Sequence, residues 1–217
     1  MKKIIFLIPA FNEEKNIKKV ILNFKKFGKV LVVNDASNDK TKTIAKNYCD
    51  HYLENKKNIG YDKSLQKGLI YLSKKNYNNV ITVDADGQHR SDQVQKFFKF
   101  SKKYDILIGF RNLLNRPIEK KISLLSKKTF NIFDPLSGMK FYNLKKIKNR
   151  LKNLDQEFNY FGMFFLEWID DLKIKNVKIL VNKSNKISSI GRVKNIEKKF
   201  LDSFLKIKKK NTYFTKI

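Results

Sequence analysis

The chain has 217 residues, 41% of them hydrophobic and 13% aromatic, which is enough to close one sizeable core and excludes disorder over most of its length. Its 48 basic residues against 20 acidic ones give a formal charge of +28, which calls for something anionic: a nucleic acid, an acidic lipid surface or a phosphate-bearing substrate. The excess is nearly all lysine beside abundant Asn and Ile, as a biased composition also produces. Zinc-ligand spacing, a helix-turn-helix pattern and RNP-like strands are all missing, so no specific nucleic-acid partner is expected. No apolar run approaches the ~20 residues that cross a bilayer. The single cysteine, Cys49, excludes an internal disulfide, and no leader-like segment opens the chain. The expected setting is therefore reducing and cytoplasmic, with peripheral attachment to the membrane face left open.

In chain order, Lys3 to Ile8 reads as a strand ending at Pro9, and Glu13 to Phe27 as a helix with Ile17, Val20, Ile21 and Phe24 on one face. Val30 to Val33 is a second strand. Asp35 to Asp39 supplies the turn and cap of a helix running to Tyr48, and His51 to Glu54 is a third strand. After the Asn58-Ile59-Gly60 turn, Leu65, Leu69 and Leu72 fall at helical spacing, followed by a strand at Val80 to Val83 and another at Asp105 to Ile108. Beyond Arg111 the periodicity weakens to a helix around Ile118 to Phe130 and a turn at Asp134 to Gly138, expected to cover a crevice. Phe158 to Leu172 reads as an aromatic-rich helix and Val177 to Val181 as the last strand, with the catalytic unit closing near Lys186. Strands alternating with helices predict a single α/β domain over 1–194, a Rossmann-like, mostly parallel sheet flanked by helices. A basic amphipathic tail occupies 195–217.

In such sheets ligands sit at the carboxyl ends of the strands, and the polar clusters lie there: Pro9 to Glu13, Asn34 to Asp39, Asp84 to His89, with the cation of Gly109-Phe110-Arg111 beside the same edge. In Asp84-Ala85-Asp86-Gly87-Gln88-His89, two carboxylates and an amide oxygen on one short turn suit a hard ion such as Mg²⁺ or Mn²⁺, which binds through a few carboxylates plus the phosphates of a substrate.

Taken together these motifs resemble family 2 glycosyltransferases with a GT-A fold, in particular the branch of dolichyl-phosphate mannose synthase and polyprenyl-phosphate glycosyltransferases. Ile8 to Glu14 is similar to the opening motif, Val33 to Thr41 to V-D-D-G-S-x-D-x-T, Asp84 to His89 to D-A-D-x-Q-H, Gly109 to Arg111 to G-S-R, and Asp134 to Lys140 to D-x-x-S-G-x-R/K. The resemblance implies an inverting, metal-dependent transfer of a sugar from a UDP- or GDP-sugar to a polyprenyl or dolichyl phosphate, or to a glycan hydroxyl, in cell-surface glycan or glycolipid synthesis. It makes Asp84, Asp86 and Gln88 metal ligands. Asp35 becomes the acceptor for a base ring N–H, while Pro9, Ala10 and Glu13 form the wall of the nucleotide site and Gly60 marks a close backbone approach. Arg111 adds positive charge at the diphosphate, and His89 is a packing residue. A lipid-phosphate acceptor is already ionised at neutral pH, whereas a sugar hydroxyl needs a carboxylate base, for which Asp134, Glu167 and Asp171 are candidates. Ser137, Gly138 and Lys140 are candidates for an acceptor-phosphate or sugar site.

The chain departs from the pattern at Asn34 and Ala36, which replace an acid and a glycine, and at Asp62, where a second glycine is common. A Q-x-x-R-W motif is missing, which argues against a processive polysaccharide synthase, and so is the family's membrane-spanning tail. In its place Phe200, Leu201, Phe204 and Leu205 stand among lysines, either as an interfacial anchor or as the inner stripe of a terminal helix. The competing functional class is a basic protein that binds nucleic acid or an anionic surface on a degenerate form of the same fold.

Overall fold

The structure, a computed structural model, describes residues 4–155, 157–182 and 195–214, the side chains of the last three excepted. The expected close of the catalytic unit near Lys186 lies outside these residues. Seven strands alternate with seven helices: β1 Ile4–Ala10, α1 Ile17–Lys25, β2 Lys29–Asn34, α2 Thr41–Tyr48, β3 His51–Glu54, α3 Tyr61–Lys74, β4 Asn79–Thr82, α4 Val94–Phe100, β5 Ile106–Arg111, α5 Pro117–Phe130, β6 Lys140–Asn143, α6 Leu144–Lys152, β7 Ile174–Ile179 and α7 Ile196–Phe214. The strands form one sheet in the order β3-β2-β1-β4-β6-β5-β7. All pairs are parallel except those of β6, which runs antiparallel to both β4 and β5.

Strand side chains alternate between two apolar layers, as the two-residue period of a strand requires. Ile5, Leu7, Leu31, Val33, Val80, Ile106 and Ile108 face the layer built with α3, α5, α6 and α7. Phe6, Ile8, Val30, Val32, Ile81 and Leu107 face α1, α2 and α4. The apolar face read for the first helix, Ile17, Val20, Ile21 and Phe24, is the one buried.

Three readings are corrected. The region after the Asp134 to Gly138 turn is a strand, β6, whose four residues Lys140 to Asn143 are too short to show a period. It passes between β4 and β5, with Lys140 in register with Thr82 on one side and Ile108 on the other. Gly109 to Arg111 belongs to β5 and does not follow it. Phe158 to Leu172 is mostly turns around a 3-10 segment at Phe164–Trp168, because Phe164, Phe165, Leu166 and Trp168 are all buried, an all-round apolar pattern that a regular surface helix does not present.

Of the two roles open to the terminal stripe, packing holds. Phe200, Phe204 and Ile207 of α7 are buried in the larger layer, with the Phe204 ring 5.8 Å from that of Phe130 on α5. Polar ties fix the same helix to the preceding segment: Ser203 Oγ donates to the Asn159 carbonyl, Asn211 Nδ2 to that of Leu166, and Lys210 Nζ lies 2.6 Å from Glu167 Oε1. Replacing Phe204 with Ala should lower unfolding stability by about 3–5 kcal/mol, read as a reduced denaturant midpoint at unchanged slope. A wild-type midpoint would show that α7 stands outside the cooperative unit.

Candidate active site

The first two strand-end loops are tied to each other. Asn12 N donates to Ser37 Oγ at 3.0 Å, Asn38 N to Asn12 Oδ1 at 2.9 Å, Glu13 N to Thr41 Oγ1 at 2.7 Å, and Lys40 N to Glu14 Oε2 at 3.0 Å. Pro9 and Ala10 are the last residues of β1, in register with Val33 and Asn34. Glu13 adds negative charge near Asp86. Asp35 also has a structural role: its carboxylate is buried and accepts from Asn55 Nδ2 (2.8 Å), Ile59 N (2.9 Å) and Gly60 N (2.9 Å). It shapes the 55–60 loop, and Oδ2, with a single partner, keeps acceptor capacity. Gly60 sits at φ 88°, where a side chain is strained, and no atom lies within 4 Å of where a Cβ would stand, so this loop faces open space. Asn34 is buried and accepts from Ser37 through Oδ1 at 2.6 Å.

Asp84 and Asp86 follow β4 on a turn. Asp84 leaves 35% of its side-chain surface open to solvent, yet its carboxylate lies flush against Gly138, where any Cβ would collide with both oxygens. The 138 position is therefore glycine because Asp84 occupies the space. Burial pushes the Asp84 pKa upward, opposed by Lys140 and Arg111. Asp86 is also raised, by burial and then by the charge of Asp84. Two crowded carboxylates of this kind favour a bound cation. Gln88 stands differently from a plain ligand: its backbone N and Nε2 both donate to Asp86, each at 2.9 Å, so the amide orients that carboxylate and only Oε1 is left to coordinate. His89 is buried, and its pKa is lowered to about 4 by burial. Its Nδ1 accepts the Asp84 backbone N–H at 3.1 Å, leaving the ring proton on Nε2, 3.9 Å from Asp84 Oδ2. Among the described residues no three of His, Cys, Asp and Glu gather into a metal cage. A pair of carboxylates that relies on ligand oxygens to complete the shell fits Mg²⁺ or Mn²⁺.

Lys140 is the residue that composition hides. One lysine among many in the sequence, it is 2% exposed on β6, its ammonium donating to the Ser137 carbonyl and lying 5.3 Å from the centre of the Phe165 ring. Burial lowers its pKa to about 8 against the attraction of Asp134, Asp84 and Asp62. Asp62, the residue in place of a glycine, accepts from Phe161 N and Gly162 N, each at 2.7 Å, and so holds the 160–163 turn against the start of α3. Its neighbour Tyr61 is hydrogen-bonded to Asp84.

Arg111 and Asp134, expected as separate catalytic groups, are each other's partners. Arg111 Nε and Nη2 reach Asp134 Oδ2 and Oδ1 at 2.7 and 3.0 Å, Arg111 N adds a bond at 3.1 Å, and Nη1 meets Glu119 at 3.2 Å. Burial opposes the charge of Arg111, but the two carboxylates outweigh it and raise its pKa. Asp134 is 2% exposed and is not presented to an acceptor. Glu167 also has another role, receiving the Tyr160 hydroxyl and Lys210, and Asp171 pairs with Arg150 at 2.7 Å.

A bidentate buried pair carries a checkable cost. Arg111→Met should destabilise the fold by about 3–5 kcal/mol by stranding Asp134, and the double variant Arg111→Met/Asp134→Leu should regain most of it. Chemical denaturation of the three proteins decides this. A single variant as stable as wild type would remove the pair from the framework.

Residues 5–172 match the family model for glycosyl transferase family 2. Two uncharacterized proteins of Methanocaldococcus jannaschii are 38% identical over 133 residues and 34% over 129, each across 55% of this chain. The chain spans about half the length of these curated relatives, 53% and 56%. A UDP-N-acetylglucosamine–dolichyl-phosphate N-acetylglucosaminyltransferase of Methanococcus voltae is 28% identical over 180 residues, covering 68% of this chain and 72% of that protein. Among solved structures, glucosyl-3-phosphoglycerate synthase from Mycobacterium tuberculosis, in complex with Mn²⁺, UDP and glucosyl-3-phosphoglycerate, superposes with a TM-score of 0.74 at 14% identity over 95% of this chain and 80% of that one. The strand order with its single antiparallel intruder is thus the GT-A arrangement, and with the model match covering most of the sequence, the chain belongs to glycosyl transferase family 2.

Proposed function

We propose that the chain transfers a sugar, with inversion, from a UDP- or GDP-sugar to a lipid phosphate of the polyprenyl or dolichyl class. The observation that carries the choice of acceptor is the commitment of the two buried candidate bases, Asp134 to Arg111 and Glu167 to Tyr160 and Lys210, which leaves only Asp171, an exposed residue paired with Arg150 at the surface. A sugar hydroxyl would need one of them free to take its proton. A phosphate monoester, with a second pKa near 6, attacks without such help. The Methanococcus voltae relative, by its name a dolichyl-phosphate transferase, supports the same choice.

The donor would lie over the edge formed by β1, β2 and β4, with its nucleoside beside Pro9, Ala10, Glu13 and the open side of Gly60, and Asp35 Oδ2 offered to a base ring N–H. Asp84 and Asp86 would hold Mg²⁺ or Mn²⁺, whose chemistry is to bear charge on the departing diphosphate. Gln88 aims Asp86, and Gly138 leaves the room that Asp84 occupies. Lys140, still largely protonated at neutral pH, contributes fixed positive charge in a buried place, where it acts more strongly than in water. The acceptor phosphate attacks the anomeric carbon opposite the diphosphate, which gives inversion.

Calorimetric titration of UDP and GDP, each with and without Mn²⁺, should show metal-dependent binding of one of the two. Transfer from the matching sugar nucleotide to a short-chain polyprenyl phosphate should follow. Asp86→Asn and Gly138→Ala should each abolish the metal dependence and lower transfer by at least about a hundredfold with an unchanged circular dichroism spectrum. Binding of neither nucleotide would sink the proposal.

A further inference from the structure

Three of the five large hydrophobic side chains exposed among the described residues lie on or beside one helix pair: Leu113 (40%), Leu124 (69%) and Leu205 (48%). The pair is α5 and α7, which pack against each other through Phe130 and Phe204. Their inner stripes, Ile118, Ile122 and Ser126 on one and Phe200, Phe204 and Ile207 on the other, are buried, so Leu124 and Leu205 point outward from the same layer. Scattered single leucines are ordinary on a protein surface; their surroundings are not. The outward face of α5 carries Lys120, Lys121, Lys127 and Lys128 around Leu124. The sole acid of that helix, Glu119, is turned inward to Arg111. On α7 five exposed lysines outnumber Glu197 and Asp202.

We propose that the outward face of α5 and α7 docks on an anionic phospholipid bilayer. The lysines meet headgroup charge while the leucines enter the interface, and the long lysine stems let the ammonium groups remain in the headgroup layer. This is a different surface from the Phe200 and Phe204 stripe, which the fold consumes. Leu113, in the loop between β5 and α5, brings the contact to the edge where Arg111 and the acidic turn lie. The inference rests on the lipid-phosphate reading above, because such an acceptor is confined to a membrane. Leucine among lysines favours a bilayer over a nucleic acid. A nucleic-acid surface concentrates free arginine and stacking rings, and here Arg90, Arg111 and Arg150 are each held by a carboxylate.

The test is sedimentation of the full chain with vesicles of phosphatidylcholine alone and of phosphatidylcholine with phosphatidylserine, with no acceptor present. Wild type should bind the second and not the first. Lys121→Glu/Lys128→Glu should weaken binding by about tenfold or more, and Leu124→Ser by about threefold or more. Lys99→Glu/Lys102→Glu changes net charge equally on the opposite helix layer and should have little effect. Equal losses from the two lysine pairs would reduce the binding to overall charge and overturn the proposal. So would failure of wild type to bind the anionic vesicles, or tighter binding to duplex DNA lost through the same residues. Transfer to a water-soluble short-chain polyprenyl phosphate, measured in parallel, should be unchanged in all these variants. If transfer fails in wild type while the vesicle pattern holds, the acceptor assignment falls and the docking surface stands.

Discussion

A single ammonium group buried among three carboxylates organises this site. Lys140 enters on a strand that runs against its neighbours, Asp84 arrives from the end of β4, Asp62 from the first turn of α3, and Asp134 from the turn before β6. Each carboxylate alone would be costly to bury, and so would the lysine. Together they compensate, and the Arg111 guanidinium neutralises the share of Asp134 that Lys140 does not. The elements that supply these groups are distant in sequence, so the cluster forms only once the sheet is complete. The antiparallel strand is thus the means by which a cation reaches the middle of a parallel edge.

Around that centre the carboxylates divide into two kinds. Asp62, Asp134 and Glu167 are spent on holding backbone amides, an arginine or a lysine, and Asp35 holds the amides of Ile59 and Gly60 while its Oδ2 keeps acceptor capacity. Asp84 and Asp86 tie down no distant backbone: Asp86 accepts twice from Gln88 of its own turn and Asp84 from the Tyr61 side chain; with raised proton affinity, they are the pair proposed for a cation. The distinction is one of partners and not of residue type, since all six belong to the same chemical class and three of them, Asp35, Asp84 and Asp86, follow strand ends.

That distinction also marks what could be read from the sequence. The hydrophobic runs of β1, β2, β4 and β5 and the helical spacing of α1 and α3 are local signals, and the strand-end placement of Pro9, Asp35 and Asp84 followed from them. The Asp134 to Lys140 motif marks Lys140 among the lysines, but nothing in it shows that the ammonium is buried. Its burial is decided by Thr82 and Ile108 across the sheet. The Arg111–Asp134 pair likewise joins residues 23 apart, where sequence shows two candidate catalytic groups and structure shows one ion pair. The stretch from Phe158 to Leu172 misled for the opposite reason: its aromatics suggest a helix, but they are buried on all sides and are held by turns.

The short run from Ile59 to Asp62 links two regions of the site. Its first two amides are bound by Asp35, and its last carboxylate grips Phe161 and Gly162. A displacement of this run that loosened one set of bonds would strain the other within four residues, so the 55–60 loop and the 160–163 turn beside Lys140 are coupled through it.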